Sequence, residues 1–272
     1  MNDTAEAPVA IVTGGSSGIG QAVAVALAQD GWRVAVVGRS LERLTQSLDL
    51  IRSASAELGQ PSEPLALPFN VADEADMQAM AERTLAAFGR IDLLVASAGL
   101  GKRADTKRVM PHPTAELPLS EWEEVINVNL RGIFLSNRAV LPTMRAQGRG
   151  QIINVGSSTT PQGLRGTPFG PAYCASKFGM VGLTEVIAGE EERHGIRAQV
   201  IFPGPVETPL VDQTILARPF GGAVKAEHFA DAVVFMARHP VDGVLVHPHL
   251  LPFRGYFEQT GDAPPSAPAT RQ

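Results

Sequence analysis

Short apolar runs alternate with amphipathic stretches along most of this chain. A strand buried on both faces of a parallel sheet is a short apolar run, whereas a helix repeats its apolar positions every three or four residues. The alternation predicts an α/β fold with a doubly wound, mostly parallel sheet of seven strands and helices on both faces. The predicted strands are residues 9–12, 33–37, 65–69, 93–96, 151–155, 197–202 and 243–246.

A glycine-rich turn, Thr-Gly-Gly-Ser-Ser-Gly-Ile-Gly at residues 13–20, joins the first predicted strand to an amphipathic stretch. Gly14 permits a tight turn, Gly18 lets the backbone approach a pyrophosphate, and Gly20 lets the helix pack close to the strand. Phosphate groups bind the unpaired N–H groups at a helix N-terminus. The turn therefore predicts nucleotide binding, although its G-x-x-x-G-x-G spacing differs from the common G-x-G-x-x-G.

The size and composition of the chain are those of one large domain. It has 272 residues, of which 44% are hydrophobic, and we predict a single dinucleotide-binding domain over residues 1–260. Residues 261–272 are rich in proline and alanine and are predicted to form a disordered tail. The formal net charge of −5 gives no indication of a nucleic-acid-binding surface.

Several features predict a cytoplasmic protein without a metal site. The single cysteine, Cys174, excludes a disulfide framework within the chain and fits a reducing compartment. Residues 1–6 lack the apolar segment of a signal peptide, and no apolar run approaches the roughly 18 residues of a membrane span. The six histidines form no metal-ligand pattern, and we interpret residues 247–249, His-Pro-His, as a loop.

Tyr173 and Lys177 are four positions apart in a predicted helix over residues 172–194, so they share one face of it. A lysine beside a phenol favours the phenolate and is expected to lower the phenol pKa from its usual value of about 10. Such a tyrosine serves as a general acid or base near neutral pH. The alternative is a core tyrosine beside a solvated lysine.

Together, the glycine turn, Tyr173 and Lys177 resemble the short-chain dehydrogenase/reductase family. The resemblance spans about residues 8–240 and implies a single-domain Rossmann fold. It also implies an enzyme that interconverts a carbonyl and a secondary alcohol by hydride transfer. Further segments resemble the family's motifs in the same order along the chain. They are Ala96-Ser97-Ala98-Gly99, Asn127-Val128-Asn129-Leu130, Ile153-Asn154-Val155-Gly156-Ser157 and Pro203-Gly204-Pro205-Val206-Glu207-Thr208.

The resemblance implies a catalytic tetrad. Tyr173 would exchange a proton with the substrate oxygen, and Lys177 would lower the pKa of Tyr173 and hydrogen-bond the nicotinamide ribose. Ser157 would donate a hydrogen bond to the substrate oxygen, with its neighbour Ser158 as the rival for this role. Asn129 would order a water near Lys177 that relays the proton; the alternative is a helix-interior amide bonded to backbone.

The resemblance also implies a cofactor. No acidic residue stands at Gly38, and Arg39 can pair with a 2′-phosphate, which favours NADP(H) over NAD(H) and reduction as the direction. A solvated Arg39 and an NAD-dependent dehydrogenase are the alternatives, as is a dinucleotide-binding redox sensor without turnover. The implied cofactor contacts are Gly14, Ser16, Ser17, Gly18, Ile19, Gly20, Arg39, Asn70, Val71, Ala98, Gly99, Tyr173, Lys177, Pro203, Gly204, Val206 and Thr208.

The chain departs from the family pattern in four places. Ser97 replaces an asparagine that fixes the central strand, and we expect a local adjustment there. The segments 100–119 and 159–171 are longer than usual and are predicted to border the substrate. A further segment, 211–224, is predicted to form a lid over the substrate. The usual Asp-Gly-Gly ending is missing. Relatives build interfaces from the last strand and from the helix of Tyr173, so we expect a homodimer or a homotetramer.

Overall fold

The computed structural model describes residues 7–57, 59, 62–101, 112–158, 170–208, 223–238, 243, 245 and 248–251. Seven strands form one sheet, and every neighbouring pair is parallel. The strands are β1 (Val9–Thr13), β2 (Arg33–Val37), β3 (Leu65–Leu67), β4 (Leu93–Ala96), β5 (Gly150–Val155), β6 (Ile196–Pro203) and β7 (His249–Leu250). Their order in the sheet is β3-β2-β1-β4-β5-β6-β7, which confirms the predicted fold class.

Seven α-helices occur in the described part of the chain. The fourth and fifth form one continuous rod, because a π-helical turn, Asn127–Arg131, joins them directly. The predicted helix over residues 172–194 is an α-helix that ends at Glu191 and continues as one 3₁₀ turn. The helices are α1 (Gly18–Gln29), α2 (Leu41–Ala56), α3 (Glu74–Phe88), α4 (Leu119–Ile126), α5 (Gly132–Gln147), α6 (Pro171–Glu191) and α7 (Ala226–Arg238).

Two apolar cores lie on opposite faces of the sheet. One contains side chains of α1, α2 and α7, such as Leu27, Leu44 and Phe229. The other contains side chains of α3, α5 and α6, such as Met80 and Met180. Strands covered on both faces are apolar throughout, which is why the sequence shows continuous runs rather than alternation. Among the described residues, no helix is long and apolar enough to cross a membrane.

The prediction of the seventh strand at residues 243–246 is wrong. Backbone pairing with β6 is found at His249–Leu250, so His249 lies in a strand rather than in the predicted loop. Next to Gly243 and Leu245, side chains of β6 make the contacts instead. Arg197 Nη1 donates to the Gly243 carbonyl at 3.1 Å, and Gln199 Nε2 donates to the Leu245 carbonyl at 3.2 Å.

These contacts share one register along β6. The Phe202 N–H donates to the Pro248 carbonyl at 2.9 Å and the Gly204 N–H to the Leu250 carbonyl at 2.8 Å, and the acceptor lies 46 positions after the donor, as it does for Arg197 and Gln199. The last segment therefore runs parallel to β6, first bonded through side chains and then through backbone. Gln151 of β5 supports this arrangement, since its amide donates to Gln199 Oε1 at 2.8 Å.

Candidate active site

The glycine turn between β1 and α1 is closely packed. Gly14 has a φ of 70°, and a Cβ there would lie 2.8 Å from the Cα of Ala98. A Cβ on Gly20 would lie 2.4 Å from the Gly14 carbonyl oxygen. The Gly15 N–H donates to the Val37 carbonyl at 3.1 Å, which fixes the turn to the end of β2. Glycine is therefore required at position 14 by space and by backbone conformation, and at position 20 by space.

The start of α1 suits an anion. Ser17 is the N-cap residue, and its side chain makes no capping hydrogen bond. The first N–H groups of a helix have no partner within the helix, and the first turn of α1 contains no acidic residue. Gly18, the first residue of α1, has a φ of 54°, a backbone conformation that favours glycine. These residues fit the pyrophosphate of a dinucleotide.

The ends of β2 and β3 form the predicted adenosine side of the site. Arg39 is exposed, and no acidic partner for it is found in the described part of the chain. Asn70 is exposed, and its Oδ1 accepts the Ala72 N–H at 3.1 Å, which leaves one lone pair for an adenine amine. Val71 is buried against Gly132, so it also belongs to the core.

The end of β4 lies directly against the glycine turn. Ser97 Oγ donates to the Thr13 carbonyl, and the Ala98 N–H donates to Thr13 Oγ1 at 3.3 Å. The expected adjustment at Ser97 is thus a hydroxyl that still ties β4 to β1. A Cβ on Gly99 would lie 3.5 Å from Asn129 Oδ1 and 3.9 Å from Lys177 Nζ. Gly99 therefore borders the predicted tetrad.

Asn129 lies in the π-helical turn between α4 and α5 and is fully buried. Its Oδ1 accepts the Leu100 N–H at 2.7 Å, and its Nδ2 donates to the Leu100 carbonyl at 2.8 Å. Nδ2 also lies 3.3 Å from Ser176 Oγ, which donates to the Tyr173 carbonyl at 2.7 Å. The amide thus connects the end of β4 to the helix of Tyr173. Single π turns of this kind frequently occur at functional sites.

Three members of the predicted tetrad meet at the start of α6. Ser157 follows β5, is buried, and hydrogen-bonds the phenol of Tyr173. Lys177 is buried one turn further along α6, and its Nζ donates to the Val155 carbonyl at 2.7 Å. Its Nζ lies 5.7 Å from the centre of the Tyr173 ring. Ser158 is also buried, and its N–H donates to the Pro203 carbonyl at 2.8 Å.

Burial determines the titration of both groups. It raises the pKa of Tyr173 above its ordinary value, and the hydrogen bond from Ser157 opposes this only in part. The predicted lowering of the Tyr173 pKa is therefore wrong for the protein by itself, because Lys177 donates to a backbone carbonyl and burial disfavours the phenolate. Burial also lowers the pKa of Lys177 from 10.5 to about 8.

The turn after β6 closes the site on its other side. The Glu207 N–H donates to the Val224 carbonyl, and the Val224 N–H donates to the Pro205 carbonyl, both at 2.8 Å. Thr208 is buried, and its Oγ1 donates to the Val206 carbonyl at 3.2 Å. A backbone turn bonded on both sides presents Thr208 at the carboxyl edge of the sheet, where doubly wound folds bind their ligands.

A sequence profile described as short chain dehydrogenase matches residues 8–218. The chain belongs to the short-chain dehydrogenase/reductase family. Levodione reductase of Leifsonia aquatica is 38% identical over 208 residues, which are 76% of this chain and 72% of that protein. Members of this family are oxidoreductases acting on CH–OH and C=O groups, and so is this enzyme.

Solved structures of relatives give the same fold. The 3-ketoacyl-(acyl-carrier-protein) reductase of Brucella melitensis, complexed with NADH, superposes with a TM-score of 0.80 at 26% identity, covering 92% of this chain and 99% of that one. The alcohol dehydrogenase of Thermococcus sibiricus, complexed with 5-hydroxy-NADP, gives 0.76 at 28% identity, with coverage of 90% and 97%. The cofactor of this short-chain dehydrogenase/reductase is therefore a nicotinamide dinucleotide.

The structure brings most of the predicted site to one edge of the sheet. The contacts that the sequence analysis missed are Thr13, Leu100 and Ser176, whose roles depend on backbone groups that no motif encodes. Ser176 carried one signal, because it lies three positions after Tyr173 on the same helix face. Residues 102–111, 159–169 and 209–222, which contain most of the predicted substrate loops and lid, lie outside the described residues, as does the predicted tail. The described residues contain no group of three or more potential metal ligands.

Proposed function

We propose that this protein is an NADP(H)-dependent oxidoreductase that reduces a ketone or aldehyde to an alcohol, with Tyr173 as the general acid. The hydrogen bond between Ser157 and the Tyr173 phenol, with the Lys177 ammonium across the ring, is the observation that carries the proposal. It brings two hydrogen-bond donors to one point at the carboxyl edge of the sheet. A carbonyl oxygen bound there would accept hydrogen bonds from both.

The proposed direction, reduction, follows from the proposed NADP(H) preference. Tyr173, whose pKa is raised by burial, is protonated at neutral pH and can therefore act as the proton donor. When bound, the nicotinamide supplies the hydride, which goes to the carbonyl carbon. Tyr173 then gives its proton to the carbonyl oxygen, and the nearby cation of Lys177 stabilises the phenolate that remains. Asn129 would order the water near Lys177 that relays a proton, as the family resemblance implies.

The preference for NADP(H) rests on the end of β2. Gly38 offers no carboxylate to hydrogen-bond ribose hydroxyls or to repel a 2′-phosphate. Arg39 is exposed beside it and has no acidic partner among the described residues, so its guanidinium is available for a phosphate. The cofactor-binding roles of Ser16, Ile19, Pro203, Gly204 and Thr208 stay predictions of the same proposal.

The substrate is proposed only as a class. The relatives' names denote reductases of a levodione and of a 3-ketoacyl-(acyl-carrier protein) and an alcohol dehydrogenase, so the interconversion of a carbonyl and an alcohol is the shared chemistry. We further propose a cytoplasmic homodimer or homotetramer. Exposed apolar side chains on α5 and α6, namely Phe134, Phe178 and Val186, support an assembly through these helices. Light scattering of the purified protein measures its mass.

A matched pair of serine variants, together with Tyr173→Phe, tests the catalytic proposal. Oxidation of NADPH is followed across a panel of ketones and aldehydes. We expect Tyr173→Phe to lower kcat at least about 10³-fold and Ser157→Ala about 10²-fold. Ser158→Ala, which alters the adjacent buried hydroxyl, is expected to change kcat less than about threefold. All three variants should bind NADPH with the wild-type Kd, measured by fluorescence.

The same measurements separate the alternatives. Wild-type protein that binds NADPH but oxidises it with no carbonyl compound would favour a redox sensor. A wild-type kcat/KM that is higher with NADH than with NADPH would contradict the cofactor preference and leave the catalytic residues unaffected. Equal losses in Ser157→Ala and Ser158→Ala would contradict the assignment of Ser157.

A further inference from the structure

We propose that Ser16 and Gly38 act as one steric element that determines cofactor preference: the Ser16 side chain fills the space that an acidic side chain at position 38 would need. This inference rests on the proposed NADP(H) preference and deepens it. It adds a specificity-determining residue that makes no charge contact with the cofactor, and it makes the effect of one position depend on the other.

The space beside Gly38 is already occupied by neighbouring side chains. A Cβ built on Gly38 would lie 2.9 Å from Ser16 Oγ and 3.0 Å from Ser16 Cβ. On another side it would lie 3.4 Å from Cδ2 of Leu44, a fully buried core residue of α2. Any side chain at position 38 therefore has to displace Ser16, whereas its distance from Leu44 is that of ordinary packing. A contact of 3.0 Å or less to a Cβ is shorter than packed side chains tolerate.

Space, rather than backbone conformation, explains the glycine. Gly38 is not among the glycines with a positive φ, so its backbone accepts any residue. Its N–H donates to the Leu67 carbonyl at 3.2 Å, which keeps the chain close to β3. Rotation of the Ser16 hydroxyl would leave its Cβ in place, because the backbone beside it is fixed by the hydrogen bond from the Gly15 N–H to the Val37 carbonyl.

The consequence concerns two parts of the cofactor, the adenosine ribose and the pyrophosphate. An acidic residue at the end of the second strand is the usual device for binding a ribose 2′-hydroxyl. Here Gly38→Asp would push on Ser16, in the turn whose N–H groups bind the pyrophosphate. The single substitution should therefore weaken both cofactors instead of converting one preference into the other. Conversion should need a smaller residue at position 16 as well.

The first experiment uses the protein without cofactor, so its result does not depend on which cofactor is preferred. Gly38→Ala adds only the Cβ. We expect it to lower Tm by roughly 3 to 10 °C in the wild-type background and by less than half of that loss when Ser16→Gly is present. Ser17→Gly is the matched control, because Ser17 is not among the atoms nearest to the added Cβ, and the loss should be unchanged in that background.

The second experiment measures Kd and kcat/KM for NADPH and NADH. We expect Gly38→Asp to lower kcat/KM at least about tenfold with both cofactors. In Ser16→Gly/Gly38→Asp, the value with NADH should rise about tenfold above that of Gly38→Asp, while the value with NADPH stays low because the carboxylate repels the 2′-phosphate. Ser16→Gly alone should weaken both cofactors equally.

The outcomes distinguish the two proposals. An equal loss of Tm from Gly38→Ala with Ser16 and with Gly at position 16 would overturn the steric element. So would a Gly38→Asp single variant that gains activity with NADH. A wild-type preference for NADH would overturn the NADP(H) proposal, but the coupling of Tm between positions 16 and 38 would still stand.

Discussion

Two turns border the site, and they are stabilised in different ways. The glycine turn after β1 packs against its own helix and against the adjacent ends of β2 and β4. The turn after β6, Pro203–Thr208, depends on segments that follow it in the chain. Its Gly204 N–H bonds the Leu250 carbonyl, and its Glu207 N–H bonds Val224.

The difference explains why one turn was predicted in detail and the other only as a motif. Glycines that fit a close backbone approach leave a fixed spacing in the sequence, because no other residue fits. Pairing with a segment 46 positions away leaves no such spacing, because any residue offers the same carbonyl group. Substitutions in the first turn should therefore lower stability and cofactor binding strongly. Substitutions that affect the second turn should lower them by smaller amounts.

The largest effect is expected at the glycine turn. Gly20→Ala places a methyl group 2.4 Å from the Gly14 carbonyl oxygen. We expect a loss of about 3 kcal/mol or more in the free energy of unfolding, and cofactor binding at least about 100-fold weaker. Gly189→Ala is the control, because a Cβ there meets nothing within 4 Å. It should stabilise α6 by up to about 1 kcal/mol. Equal stability of the two variants would contradict the packing argument.

Lys177, which reaches the end of β5 between the two turns, gives the next effect. Burial disfavours its charge, so Lys177→Met should lower kcat at least about 100-fold yet raise the stability of the cofactor-free protein by about 2 kcal/mol at pH 7. Between pH 8 and 10.5 the unfolded wild-type chain binds more protons than the folded one, so wild-type stability rises with pH there. The advantage of the variant should shrink over this window. Denaturant unfolding at several pH values measures it, and a gain independent of pH would contradict the assignment.

The side-chain contacts beside β6 should give a moderate effect. Gln199→Leu removes the hydrogen bonds to Leu245 and Gln151 from a buried position. We expect a loss of about 2 kcal/mol in the free energy of unfolding and a cofactor KM raised about threefold to tenfold with little change in kcat. Gln78→Leu on the exposed face of α3 is the control and should change neither value. A fall in kcat with an unchanged KM would argue against positioning of the second turn.

The smallest effect is expected at the end of the same segment. His249 stacks on Phe202, with ring centres 4.6 Å apart. His249→Ala should destabilise the fold by about 1 kcal/mol and raise the cofactor KM less than about threefold. His249→Phe keeps the stacked ring and should retain the wild-type KM. If both substitutions have the same effect on KM, the stacking does not position β7.

Most strands were predictable because they are buried on both faces. The bounds of β2 and β4 were predicted correctly from their apolar runs. β1 and β5 differ by one residue at one end, β6 differs by one residue at each end, and β3 ends two residues earlier than predicted. The seventh strand was placed wrongly, because residues 243–246 are as apolar as a strand. The place of Gly243 and Leu245 beside β6 is decided by Arg197 and Gln199, whose side chains donate to their carbonyl groups.

The sequence predicted which residues come together at this edge of the sheet but not their electrostatics. The spacing of Tyr173 and Lys177 correctly placed them on one face of a helix, since an α-helix fixes that geometry locally. The direction of the Tyr173 pKa was wrong, because it depends on how much water the neighbouring segments exclude. The two hydrogen bonds between the Asn129 amide and the Leu100 backbone were likewise not predictable, because the two residues are 29 positions apart.

The sequence by itself determined the family, the alternation of strands and helices along the chain and the glycine turn, since these depend on apolar periodicity and on residues without a Cβ. Only the tertiary structure decided the titration of Tyr173 and Lys177, the course of the last segment and the contact between Ser16 and Gly38. The physical reason is that burial and close packing are properties of segments brought together by folding. A residue's type does not record which distant segment will exclude water from it.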